Sequence, residues 1–239
     1  MSAAFLGGAL LASLKLSGAG SAQALSDTPP LTLAAVVDGA VQVFRQPYLR
    51  RIALVILLAN FVSTVFYLEQ SRLVKAAIAG QADRVAFFAS RDLAVSVATA
   101  CLQLIGTAWL IGRFGLTAAL AALPVVCLGG LALFGLVPTL GVVSTIMVVE
   151  RITAFALAVP AMRVLYTVVD PDAKYKAQNF IDTVVYRAGD AASGLVSHQA
   201  GTLLLIAVIP FGVLWLAACA GLGAMHKVLE VKGALRHDR

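Results

Sequence analysis

The chain has 239 residues, 60% of them hydrophobic and 13% charged, with a formal net charge of +6 and a mean hydropathy of +0.92. Charged residues are about half as frequent as in a typical soluble domain, which excludes that class. The apolar runs are long and continuous rather than alternating over short strands, so the expected fold is an all-α, polytopic membrane protein and not a barrel.

A basic balance is one generic sign of nucleic-acid binding. Here the charges flank apolar spans, which points instead to topology control, and no nucleic-acid partner is expected. Cys101, Cys127 and Cys219 all lie in apolar runs and read as small buried hydrophobes rather than a disulfide framework.

Residues 1–50 read as a partial apolar segment followed by a juxtamembrane linker. The run from Ala3 to Leu14 is short for a span. It has no basic region before it, and Lys15 follows it, which is the wrong order for a signal peptide; the remnant of a preceding membrane helix is the favoured alternative. Pro29 and Pro30 mark a break. Val36, Val37, Ala40, Val41 and Phe44 then recur at helical spacing, predicting an interfacial amphipathic helix over 33–44. Arg45, Arg50 and Arg51 form a basic collar, with Pro47 opening the next turn.

Six spans are expected within a transmembrane domain over 51–224. The first covers 51–69 and places Asn60, Thr64 and Tyr67 on one face that should look into a bundle. A loop is expected over 70–91. The second span, 93–112, carries Gln103 as a buried polar residue. A tight turn at Arg113, Phe114 and Gly115 leads to the third, 116–137, where Gly129 and Gly130 permit close helix approach. The fourth covers 141–161. A polar stretch follows over 163–181, with Asp170-Pro171-Asp172 as a turn or helix start. The fifth span, 182–200, is the least hydrophobic. The sixth, 202–224, contains Pro210, and 225–239 reads as a charged cytoplasmic tail. With both ends inside, the basic residues of the collar, Arg113, the 163–181 stretch and the tail outnumber Arg72, Lys75, Arg84 and Arg91 outside.

Glu150 and Arg151 sit mid-span. Neighbours on a helix project about 100° apart, so each should find its own partner or face a watery cavity. Intramembrane ionisable groups are expensive and mark pathways by default, although a packing ion pair is the plain alternative. Asp182, Tyr186 and Asp190 are spaced four apart. Arg187 and Asp190 at i,i+3 can pair, and Gly189 and Gly194 thin the helix beside them. Tyr186 is a ring-stacking candidate or simple packing. Lys174 and Lys176 stand at the cytoplasmic mouth, where Lys176 can guide an anion inward. No phosphate loop, HExxH, CxxC or nucleophile elbow occurs, and His198, His226 and His237 are isolated. No enzyme, metal or cofactor is therefore expected.

The stretch VVDPDAKYKAQNFIDTVVYRAGD, from Val168 to Asp190, resembles the corresponding region of the ATP/ADP (nucleotide-exchange) carriers of bacteria and plastids. The shared runs are Lys174 to Ala177 and Asp182 to Asp190. The span count and the turn from Gly112 to Gly115 resemble more broadly the second half of a major facilitator superfamily transporter. The resemblance implies a six-helix bundle forming one half of a twelve-helix carrier that rocks about a central site. It implies an inner-membrane, multi-pass protein with a small solute as substrate, an organic anion or a nucleotide being the candidates. A second six-helix half or a homodimer partner would complete it, or the sequence is a fragment of a longer carrier, since the resemblance covers only the second half. Substrate binding or gating would fall to Arg187, Asp190, Tyr186, Asp182, Arg151, Glu150 and Lys176, with Asn60 and Gln103 as polar points on helix faces. The competing expectation is a membrane scaffold whose buried charges only hold helices together.

Overall fold

The computed structural model describes residues 33–197 and 202–237. The N-terminal apolar run, the Pro29–Pro30 break, His198 and residues 198–200 of the expected fifth span lie outside the described residues. Two units divide the chain at Val37/Asp38. In the first, residues 33–37 form the opening of a helix. All that follows concerns the second.

Helix α1 is Leu33–Arg45, as the apolar spacing predicts. Val43 is buried, and Gly39 lies so close to the Lys176 carbonyl that a Cβ would collide with it. Helix α2 is Pro47–Ala77, with Pro47 at its first position, where no N–H is needed. Its 31 residues span about 46 Å, well beyond the hydrocarbon thickness. Helix α3 is Gln81–Phe114. The loop expected over 70–91 is thus helix on both sides of a short connection at 78–80. Charges ended the apolar window there but not the helix. The segment is rich in helix formers, and Arg72 pairs with Glu69 at i,i+3.

Helix α3 is broken at Gly106, which adopts φ 130°. It contains the expected span 93–112, and its segment Gln81–Leu104 is long and apolar enough to cross a membrane. Gly115, at φ 84°, makes the expected turn into α4, Leu116–Leu136. Helix α5, Leu140–Thr153, starts on Thr139, whose hydroxyl accepts from the Val142 N–H. It passes through a π turn, Ala154–Ala158, into α6, Val159–Leu165, and a 3₁₀ turn, Tyr166–Val168. Asp170 then caps α7, Pro171–Phe180, by accepting from the N–H groups of Asp172 and Ala173. A second π turn, Ile181–Val185, continues into α8, Tyr186–Ser197. Helix α9, Thr202–His237, carries the helix through most of the expected tail.

Paired contacts fix the helix directions. Tyr48 meets His226, Arg51 meets Gly221, and the rings of Phe61 and Phe211 lie 4.9 Å apart, so α9 runs antiparallel to α2. Ser63 meets Glu150 and Gln70 meets Ser144, so α5 is antiparallel as well. Phe44 packs on Phe180 while Asn60 meets Asp190, so α7 and α8 run parallel to α2. A Cβ on Gly212 would strike Leu128 and one on Gly223 would strike Thr117, which sets α9 antiparallel to α4.

Among the described residues, five helical stretches are long and apolar enough to cross a membrane: Pro47–Ala77, Gln81–Leu104, Leu116–Leu136, Leu140–Val168 and Val208–Val231. The fold is therefore an all-α, multi-pass membrane fold. On this criterion five of the six expected spans appear among the described residues; the fifth, 182–200, falls on the π turn Ile181–Val185 and α8, which carry Asp182, Arg187 and Asp190, and its last residues lie outside the described ones. Its direction nevertheless alternates with those of its neighbours. Cys127 and Cys219 are buried as expected, but Cys101 is exposed.

The directions give a labelling pattern. With the native cysteines replaced by alanine, Ala79→Cys and Val137→Cys should react with an impermeant maleimide from one side of a sealed vesicle. Arg113→Cys and Tyr175→Cys should react only from the other. Any crossing of these two groups would refute the arrangement.

Candidate functional site

Along α2, Asn60, Ser63, Thr64 and Tyr67 follow the i, i+3, i+4, i+7 pattern that puts them on one face. Helix α8 packs against this face at Gly189. A Cβ there would lie 2.9 Å from Asn60 Nδ2 and 3.3 Å from the Leu57 carbonyl oxygen, so only glycine permits the approach. At that separation Asn60 Nδ2 donates to the Tyr186 carbonyl at 2.7 Å and to Asp190 Oδ1 at 2.9 Å. The Thr64 hydroxyl donates to the same carboxylate oxygen at 3.2 Å. The sequence-based expectation that this face of α2 looks into a bundle is met.

One turn along, Ser63 donates to Glu150 Oε1 at 2.6 Å, and Glu150 is only 4% exposed. Glu150 thus finds its partner on another helix. Arg151, about 100° round α5 from Glu150, is half-buried. Among the described residues its guanidinium makes no hydrogen bond or ion pair. Between these groups lies a cavity of about 550 Å³. Asn60, Ser63, Thr64, Glu150, Arg151, Tyr186 and Asp190 supply its polar wall. Most of the rest is apolar, including Val55, Leu123, Met147, Phe155 and Trp215. Tyr186, Asp190, Glu150 and Arg151 thus border one space.

The wall beside Arg151 is the π turn Ala154–Ala158. A π turn carries an extra residue and disturbs the regular carbonyl pairing. Helix α3 answers it: Gln103 Nε2 donates to the Phe155 carbonyl at 3.2 Å, and the Thr107 hydroxyl donates to the Ala156 carbonyl at 2.9 Å. These two residues flank the break at Gly106. Gln103 is therefore not the buried residue expected; its side chain is exposed and reaches across to a carbonyl.

The remaining expected site residues lie elsewhere. Asp182 falls inside the second π turn, is exposed and does not line the cavity. Arg187 is exposed and is not part of the cavity wall. The expected Arg187–Asp190 ion pair is not formed, and Asp190 is held by α2 instead. Lys176 is exposed and lies 3.5 Å from Asp38, so it ties α7 to α1.

Two polar stitches close the bundle above and below the cavity. At one end Arg91 donates to Gln70, which donates to Ser144 at 3.3 Å. Arg91 also holds Asp92 at 2.7 Å and lies over the Phe88 ring. At the other end the Tyr48 hydroxyl donates to the Leu165 carbonyl at 2.8 Å. Its one proton spent, it accepts from His226 Nδ1 at 2.9 Å. Sequence reasoning missed both. Their only signal was a polar residue at each end of an apolar run, which also describes an ordinary interfacial residue.

No family model, curated protein or solved structure matches the chain.

Replacing Asn60 with leucine removes the donor shared by Tyr186 and Asp190. The expected loss is about 1–3 kcal/mol, read as a lower unfolding temperature in detergent. Asn60→Ser should lose less, because a hydroxyl can still donate. Equal stability for Asn60→Leu and the native chain would show that the α2–α8 contact does not depend on this amide.

Proposed function

We propose that the chain is a secondary transporter unit that moves a small solute through the membrane by alternating access, acting as one half of a larger carrier. The observation that carries this reading is the mid-bundle cavity, which places Glu150, Arg151 and Asp190 in one apolar-walled space between two polar stitches. Ionisable groups at membrane depth are costly and are retained where a solute or ion passes. Arg151 is the group best suited to hold an anionic part of the solute, since its fork matches a carboxylate or phosphate. The stitches at Gln70–Arg91–Ser144 and Tyr48–His226 are the contacts that must loosen in turn. The Val168–Asp190 resemblance to nucleotide-exchange carriers adds weight, as does the alternation of helix directions. Under the basic-residue bias both ends lie in the cytoplasm, and the resemblance points to a cell inner (plasma) membrane. A second six-helix half or a second copy of the chain completes the pathway.

A scaffold is the competing reading. It is favoured by the hydrogen bonds of Glu150 and Asp190 to α2, which serve helix packing on their own.

Uptake of labelled amino acids, monocarboxylates and nucleotides by vesicles carrying the chain separates the two, with and without a candidate N-terminal half. Arg151→Ala should lower uptake by about 10- to 100-fold at unchanged expression, the loss expected for one charge-assisted contact. Arg187→Ala should leave it within about threefold, given its position outside the wall. Correct insertion without uptake of any solute would leave the scaffold.

A further inference from the structure

We propose that the outward side of α8 is a docking surface for a second copy of this chain, joined by reciprocal ion pairs between Arg187 of one copy and Asp182 of the other. The pairing stands apart from the transporter reading above, because neither residue lines the cavity.

The depth of Arg187 carries the argument. Gly189 abuts Asn60 and Leu57 on α2. Asn60 stands midway along the apolar run of α2, nine residues from Arg51 and nine from Glu69, so each boundary is about 13 Å away. Arg187 precedes Gly189 by two residues, about 3 Å along the axis. Its backbone therefore sits near the middle of the membrane. It is nevertheless exposed, and among the described residues its guanidinium makes no hydrogen bond or ion pair. An arginine turned toward lipid at that depth is expensive, and such groups pair with a counter-charge or face a watery cavity. Leaning toward the helix N-terminus shortens the distance to the headgroups without closing it.

The counter-charge is on the same helical segment. Asp182 precedes Arg187 by five residues, about 7.5 Å along the axis. It is exposed and forms no ion pair among the described residues, although Arg163 is close enough to act on its charge. Around a two-fold axis along the membrane normal, the α8 helices of two copies run parallel at equal depth. Each arginine leans toward its own N-terminus, which brings its guanidinium toward the level of the facing Asp182. Two-fold symmetry makes every contact twice, so two ion pairs form, in surroundings that screen them poorly. The rest of the surface lets the helices approach. Arg187 and Ala191 are four apart, as are Ala188 and Ala192, so they share the side of α8 turned away from Gly189. All of them are exposed, and small residues around one charge allow a second backbone to come close.

The test uses the full chain, with Cys101, Cys127 and Cys219 replaced by alanine, in vesicles of phosphatidylcholine and phosphatidylglycerol. Under mild oxidation Ala188→Cys and Ala191→Cys should each give a disulfide-linked dimer. Val97→Cys, on the exposed side of α3, should not. Energy transfer between donor- and acceptor-labelled copies then measures the effect of charge on pairing. Arg187→Asp and Asp182→Arg should each weaken dimerisation by at least about tenfold, because like charges then face each other across the axis. The chain carrying both changes should dimerise again, and so should an equal mixture of the two single variants. A purely structural role for either residue would give neither rescue. No cross-link at either alanine, in the chain with its native charges, would overturn the proposal whatever the variants do. Dimers that ignore both charge reversals would overturn it as well, as would reversals that neither the double variant nor the mixture repairs. Dimers without uptake of any solute would overturn transport and leave the interface standing. Uptake by a chain that stays monomeric would do the reverse.

Discussion

The rest of the bundle depends on one constraint: a polar group at membrane depth must find its partner in the protein. Asn60 meets it with two hydrogen bonds to α8, one to a backbone carbonyl and one to Asp190. Those bonds need the helices nearly in contact, and Gly189 is what allows that. Once α8 is held there, Tyr186 and Asp190 face the same space as Glu150 and Arg151. A cavity with ionisable walls is therefore a by-product of satisfying one amide. The same amide explains why a helix as polar as α8 has a stable place beside α2 at all.

The π turn after Arg151 follows the same accounting by a different route. Its carbonyls are satisfied from α3, by Gln103 and Thr107, and α3 breaks its own regular winding at Gly106 between them. Two irregular segments on different helices thus complete each other. Regular α-helix in both would need neither side chain. Irregular backbone in a membrane bundle is tolerated only where it is repaired in this way or lines a cavity; here it does both.

How much of this was legible in the sequence follows from range. Local signals read well: the amphipathic spacing of α1, the Asp170 cap, the Gly115 turn and the shared face of Asn60, Thr64 and Tyr67 all stand. Each depends on neighbours within a turn or two. The 70–91 stretch departs from expectation because hydropathy falls there while helix formers carry α2 and α3 well past the apolar window. Arg187 and Asp190 had ideal spacing for a pair, yet Asp190 went to α2, because a partner across a helix interface displaces one along a helix. The Tyr48–His226 bond joins residues 178 apart, and nothing local announces it.

That separation has a consequence for how the chain is made. Asn60 is translated 126 to 130 residues before the groups that accept its hydrogen bonds. At typical elongation rates of about 5–20 residues per second, α2 waits roughly 6–26 seconds before α8 is available. Ser63 waits for Glu150 across 87 residues. During that interval the polar stripe of α2 has no permanent partner, so the helix must rest at the edge of the insertion machinery or against a temporary companion. The bundle cannot close before α8 arrives, and synthesis interrupted before that point leaves the Asn60 amide without the groups that accept from it.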